Sequence, residues 1–144
     1  MRDTIKFILG IIFTISIISI IVKVVNTYPK DIKNVFFLEK LELAVNAEIP
    51  KVKNEHVRME LSTIKENEFI YNYTLKNVGP GEKADEEFRN AMYKGVFDRI
   101  CNGHLKNDFK KAFNRNITMS YLIKDNQGNT LLYFPFTKKT CVKT

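Results

Sequence analysis

Only two histidines and two cysteines occur among 144 residues, and that scarcity removes most site chemistry at the outset. His56 and His104 belong to no Ser-His-Asp or Cys-His arrangement that spacing can support. Cys101 and His104, in the run CNGH, have ligand-like spacing. A zinc site would need two further ligands, available only from Cys141, His56 or carboxylates, so no metal is expected. A nucleophilic cysteine would need a neighbouring base, for which the sequence offers no support. GPG at residues 79–81 is followed by no Gly-Lys-Ser and by no strand-to-helix Gly-x-Gly, which excludes a phosphate loop. No run of five or more basic residues and no Arg-rich helix is present, so nucleic acid is not an expected partner. The carboxylates of Asp85, Glu86 and Glu87 fall at the expected start of a helix, where the helix dipole accounts for them without catalysis. No catalytic residue and no cofactor are therefore expected.

What is present begins with an apolar block. Residues 7–22 read FILGIIFTISIISIIV, sixteen residues without a charge, eight of them Ile. If Lys23 snorkels its ammonium to the interface, Val24 and Val25 extend the run towards the ~20 residues that cross a ~30 Å hydrocarbon layer. A buried core helix would carry a polar stripe, whereas the only polar side chains here are Thr14, Ser16 and Ser19. Arg2 and Lys6 also suit a secretory signal, but the following KVVNTYPK has no small-x-small cleavage pattern and no Cys to take a lipid. The expectation is an uncleaved, single-pass inner-membrane anchor over residues 1–25 and one domain over 26–144.

Orientation draws on two opposed signals. Lys23, Lys30, Lys33 and Lys40 follow the apolar run, and the positive-inside rule would keep the domain in the cytoplasm. Cys101 and Cys141 argue for export, because an even count in a small domain behind an export-like segment fits one disulfide, with two buried reduced thiols as the alternative. Closing a loop of that length would stabilise by about 4 kcal/mol in the chain-entropy model. A domain facing the periplasm or cell exterior is expected. With Arg2, Lys6, Lys23 and Asp3 set aside, 20 basic and 15 acidic side chains remain, a moderate excess that reads as solvated surface.

Periodicity supplies the elements. A helix is expected from near Asp31, capped by that residue, to Ile49-Pro50, with Ile32, Val35, Phe36, Leu38, Leu41 and Val45 as its apolar stripe. Residues 57–64 alternate loosely, with Val57, Met59 and Leu61 on one side, and read as a strand; FIYNYTLK from Phe69 alternates cleanly and completes a hairpin. From Asp85, the spacing of Phe88, Met92, Val96 and Ile100 predicts a helix ending near Cys101 and Gly103. Leu105, Phe109, Ala112 and Phe113 predict a short second one. Ile117, Met119, Tyr121 and Ile123 alternate up to DNQGN, where Gly128 suits a positive φ, and TLLYFPF follows as a strand that should be an edge or end at Pro135, which cannot donate to a ladder. The predicted fold is α+β, an α-β-β-α-α-β-β domain with a four-stranded antiparallel sheet packed on helices.

VNAEIP after the first helix, FIYNYTL in the second strand, a single Cys ending the central helix, ITMSYLIKDNQG and a terminal Cys together resemble a group of small exported bacterial proteins of unknown function. The resemblance spans residues 45–141. It implies bacterial export and paired cysteines and brings no activity; the missing cleavage site departs from it.

The aromatic side chains offer the remaining clue. Tyr71, Tyr73, Tyr121 and Tyr133 fall on strands whose alternate residues face opposite sides of a sheet, so one set fills the core and the other either packs under loops or the first helix or stands exposed as a candidate protein-binding face. The functional expectation is a noncatalytic, membrane-anchored bacterial envelope protein that binds a protein partner, of immunity, exclusion or secretion-assembly type. A small envelope enzyme or ligand-binding domain, marked by a deep polar pocket with a histidine beside a carboxylate, is the alternative. A cytoplasm-facing membrane adaptor is another.

Overall fold

The computed structural model describes residues 33–49, 55–103 and 106–142; the expected anchor, the Asp31 cap and His104 lie outside them. Among the described residues no helix is long and apolar enough to cross a membrane.

Helix α1 spans Asn34–Glu48 and is followed by three strands, β1 Val57–Met59, β2 Thr63–Lys65 and β3 Glu68–Leu75. Helix α2, Glu86–Phe97, runs on as a π-helical turn, Asp98–Asn102, and α3 follows as Lys106–Phe113. Strands β4 Thr118–Lys124 and β5 Thr130–Phe136 precede a short α4, Lys138–Val142. The start of α2 is set as the sequence implies: Asp85 Oδ1 accepts from the Phe88 amide at 2.7 Å, and Glu86 and Glu87 sit in the first turn.

The sheet departs from the expected one in two ways. Its order is β1-β3-β4-β5 with β2 also on β3, and the central pair β3–β4 is parallel, not antiparallel. The cause is the length of the central helix. With its π turn, α2 covers seventeen residues or about 25 Å, close to the span of about 26 Å expected for the eight residues of β3. It therefore returns the chain to the end where β3 began, and the eight-residue α3 is too short to carry it back. Glu68 consequently pairs with Thr118, and the Thr118 amide donates to the Asn67 carbonyl at 2.9 Å.

The second departure lies in residues 57–65. They form one edge broken in the middle: Met59 opposes Tyr73 whereas Thr63 opposes Ile70, so one extra residue is inserted between β1 and β2. This β-bulge reverses the side-chain alternation, because the period is two. Val57 and Met59 point into the core before it, whereas Ser62 is buried and Thr63 exposed after it. The loose alternation of this stretch is thus the signature of the bulge, and Leu61, which the alternation groups with Val57 and Met59, is 63% exposed.

All helices in the core cluster pack on one side of the sheet. Phe37, Leu38, Leu41 and Val45 of α1, Phe88, Met92 and Val96 of α2, and Phe109 and Phe113 of α3 meet Phe69, Tyr71, Tyr73 and Leu75 of β3 and their neighbours on β4 and β5. On α1, Leu38, Leu41 and Val45 are buried as expected, whereas Val35 and Phe36 are exposed and Phe37 is fully buried in their place. Cys101, in the π turn, is bonded to Cys141 in α4 across 40 residues of sequence, tying the C-terminus to the end of the central helix.

The loop between β4 and β5 behaves as its composition predicts. Gly128 has φ +89°, and Asp125 accepts from the Gln127 and Asn129 amides at 2.9 and 2.8 Å and from Asn129 Nδ2 at 2.8 Å. The Asn129 side-chain bond, with the backbone amides behind it, holds the Asp125 carboxyl below the usual carboxylate range. A group depressed in the folded state adds stability that is complete above its unfolded pKa and is lost as pH falls through the folded one. The stability difference between wild type and Asp125→Asn should be constant above about pH 5 and shrink below about pH 4, as read from urea midpoints across that range.

Candidate functional site

Among the described residues the helices cover one face of the sheet, and the strand pairing determines what stands on the other. Residues that alternate with the core tyrosines point there: Glu68, Ile70, Asn72 and Thr74 from β3, and Thr118, Ser120, Leu122 and Lys124 from β4. Tyr133 and Pro135 complete it from β5, and Arg58 and Thr63 from the bulged edge. Ile70 and Leu122 are only half-buried and belong to no part of the core cluster. An open groove of about 630 Å³ runs over this face from the bulge to the β4–β5 turn, lined among others by Arg58, Glu60, Leu61, Asn72, Leu122, Lys124 and Gly128.

The bulge forms one wall of the groove and is held by side-chain amides. Asn72 Nδ2 donates to the Leu61 carbonyl at 2.8 Å and to Thr63 Oγ1 at 3.2 Å. From the helical side, Asn46 Oδ1 accepts from the Ser62 amide at 2.9 Å and from Ser62 Oγ at 2.7 Å. These bonds occupy polar groups that an irregular strand would otherwise leave unpaired, and they hold Leu61 outward. Beside it, Glu60 Oε1 accepts from Arg58 Nε at 2.8 Å and from Thr74 Oγ1 at 2.9 Å. Partial burial raises the Glu60 pKa, but these two bonds and the charges of Arg58 and Lys124 outweigh it and leave the carboxyl below its ordinary value.

A second polar cluster lies at the far end of the same face. Ser120, fully buried, and Tyr133 both donate their hydroxyl protons to Glu68 Oε1. Partial burial and the Glu68 bond raise the Tyr133 phenol, which keeps it protonated as a donor. This cluster pins the Tyr133 ring over the sheet while leaving it 45% exposed. The face is thus a strip with Leu61, Ile70, Leu122, Tyr133 and Pro135 as its apolar parts and fixed hydrogen-bonding groups at both ends.

The tyrosines singled out from the sequence divide unequally. Tyr71, Tyr73 and Tyr121 are buried on the helix side, where Tyr121 stacks on Tyr71 at 5.1 Å and on Tyr73 at 6.3 Å between ring centroids. Burial pushes all three phenols up. They are core, not a partner surface, because parallel pairing places Tyr71 and Tyr121 side by side on the face that the helices cover. Only Tyr133 stands on the open face. Sequence reasoning passed over Leu61, Asn72, Glu68 and Ser120. The alternation of FIYNYTL already separates Asn72 from the tyrosines, but assigning the more apolar parity to the core was needed to send it outward.

His56 lies away from this face. Its Nδ1 lies 2.6 Å from Asn77 Nδ2, and it does not line the groove. Among the described residues no three His, Cys, Asp or Glu side chains converge as metal ligands, and Cys101 is committed to the disulfide.

The fold defines a small α+β domain with a mixed, bulged sheet covered by helices on one face. A protein of Pseudomonas aeruginosa assigned as secreted has a similar structure, with a TM-score of 0.61 at 16% identity over 79% of this chain and 97% of its own. The type II secretion system pilotin AspS of Vibrio cholerae aligns with a TM-score of 0.41 at 13% identity, over 72% of this chain and 94% of its own. No protein-family model matches the chain, and no curated protein does. The likeness to the Pseudomonas protein establishes a shared fold.

Proposed function

We propose that this chain is a noncatalytic envelope protein, anchored in the inner membrane by residues 7–25, whose domain lies outside the cytoplasm and binds a polypeptide segment of another protein along the open face of its sheet. The observation that carries the reading is the open face itself, where Leu61, Tyr133 and Pro135 are exposed, a groove runs from the bulge at Leu61 to the β4–β5 turn, and a fixed polar cluster holds Tyr133 beyond it. Apolar side chains held at a solvated surface by buried amides are what a recognition surface requires. The Cys101–Cys141 bond supports a location away from cytoplasmic reductants. The Pseudomonas protein of the same fold, being assigned as secreted, is in keeping with that placement.

The face is tested by placing a photoreactive phenylalanine analogue at Leu61, at Tyr133 or, as a control on another surface, at Lys94, in the full chain at native expression. One protein adduct of the same mass from Leu61 and Tyr133, absent from Lys94 and lost on Leu122→Asp, is the expected result. Adducts scattered over all three positions, or none at Leu61 and Tyr133, would count against the reading.

A further inference from the structure

Helix α1 is apolar on both of its faces. One stripe, Phe37, Leu38, Leu41 and Val45, is buried in the core. On the opposite side, the described side chains that are exposed are Val35, Phe36, Glu39, Leu43 and Ala47, and only one of them is charged. Val35 and Leu43 are each 64% exposed, and Phe36 is 41% exposed. Phe36, Glu39, Leu43 and Ala47 follow at spacings of three, four and four, which places them in one line along the helix. A surface helix of a soluble domain carries polar residues along such a line, and a helix apolar all round is normally covered on both sides.

We propose that the outer line of α1 lies in the interfacial layer of the lipid bilayer, so that the domain rests on the membrane by this helix and turns the open face of its sheet away from it. This rests on the anchor reading of residues 7–25 given above. The occupant is lipid for two reasons. The apolar run ends at Val25, nine residues before Asn34, and an extended chain of that length reaches at most about 32 Å, so α1 is the element tethered nearest to the membrane. The flanking charges also suit the interface, because Lys40 sits with its ammonium 5.1 Å from the Phe36 ring centroid, the arrangement of a long cation that covers an apolar patch and keeps its head among polar groups. Lys33 and Lys40 stand against Glu39, Glu42 and Glu48 in the sequence of α1 and its N-cap, so contact is driven by apolar side chains and does not require anionic lipid.

The chain contains no tryptophan, so a single introduced one reports without background. The full chain carrying Leu43→Trp, Val35→Trp or Tyr133→Trp is reconstituted into phosphatidylcholine vesicles with and without acyl-chain-brominated phosphatidylcholine. Flotation of the vesicles records whether the anchor holds. The expected result is flotation of all three, at least twofold quenching at Leu43→Trp and Val35→Trp by brominated lipid, and no quenching at Tyr133→Trp. Flotation with Leu43→Trp and Val35→Trp unquenched and open to iodide overturns the inference and leaves the anchor standing. Protection from iodide without lipid quenching overturns it as well, by showing that a second copy or another protein covers α1. Equal quenching at Tyr133→Trp overturns the orientation, and failure to float removes the anchor reading together with the inference.

Discussion

Replacing Cys101 and Cys141 together by alanine is expected to lower the unfolding free energy by about 4 kcal/mol, the cost of releasing a loop of 40 residues in the unfolded chain. In a domain of this size that corresponds to a fall in melting temperature of roughly 15 °C or more. The bond joins the π turn at the end of α2 to α4, and α4 has no buried residue of its own to hold it against the domain. Far-UV circular dichroism of the full chain during urea and thermal unfolding, with and without a reductant, measures it. A change below about 1 kcal/mol would show that the two termini of the loop are held together without the bond. Reduction of the wild type should reproduce the variant, since the same crosslink is lost by either route.

The second large effect is expected at the tyrosine stack. Tyr121 contacts Tyr71 and Tyr73 on one side and meets Phe136 edge-on at 6.0 Å, so Tyr121→Ala removes the aromatic ring that joins β3, β4 and β5. A loss of about 3–5 kcal/mol is expected, the range for truncating a buried aromatic side chain where the surroundings collapse only in part. Tyr71 provides the contrast within the same stack. Its hydroxyl is buried and finds no hydrogen-bond partner among the described residues. Tyr71→Phe removes an unsatisfied polar group while keeping the ring, and is expected to be neutral or to stabilise by about 1 kcal/mol. Urea midpoints of the two variants, compared at constant slope, decide between packing and hydrogen bonding as the source of stability at this position. Destabilisation by Tyr71→Phe of more than about 1 kcal/mol would mean that the hydroxyl is satisfied by a group outside the described residues.

Both predictions concern the covered side of the sheet, and the functional proposal concerns the other. The link between the sides is Asn46. It reaches from α1 to the bulge at Ser62, so the helix proposed to rest on the bilayer is also the one that holds the edge of the binding groove in shape. A segment bound on the open face would then be presented at a set orientation to the membrane, on the side of the domain away from the lipid.

How much of this was legible beforehand follows from the range of the forces involved. The helix over 86–102, the short helix after it, the β4–β5 turn with its positive-φ Gly128 and the edge strand with Pro135 all depend on neighbours a few residues apart, and the sequence alone determined them. The apolar run of residues 7–22 likewise needs no tertiary context to be read as a candidate anchor. The pairing of Cys101 with Cys141 was confined to a single choice by the count of two, although whether they bond at all required their meeting in space.

Three features were decided only by the tertiary structure. The parallel central pair depends on how far α2 carries the chain back along the sheet, a length relation between elements that hydrophobic alternation does not encode. The bulge at residues 60–62 is one residue of register between two strands, and it became visible only when β3 supplied the partner positions. The turning of α1 that buries Phe37 and exposes Val35 and Leu43 is a choice between two apolar sides. Where both sides of an element are apolar, periodicity carries no preference, and the packing of distant side chains selects one.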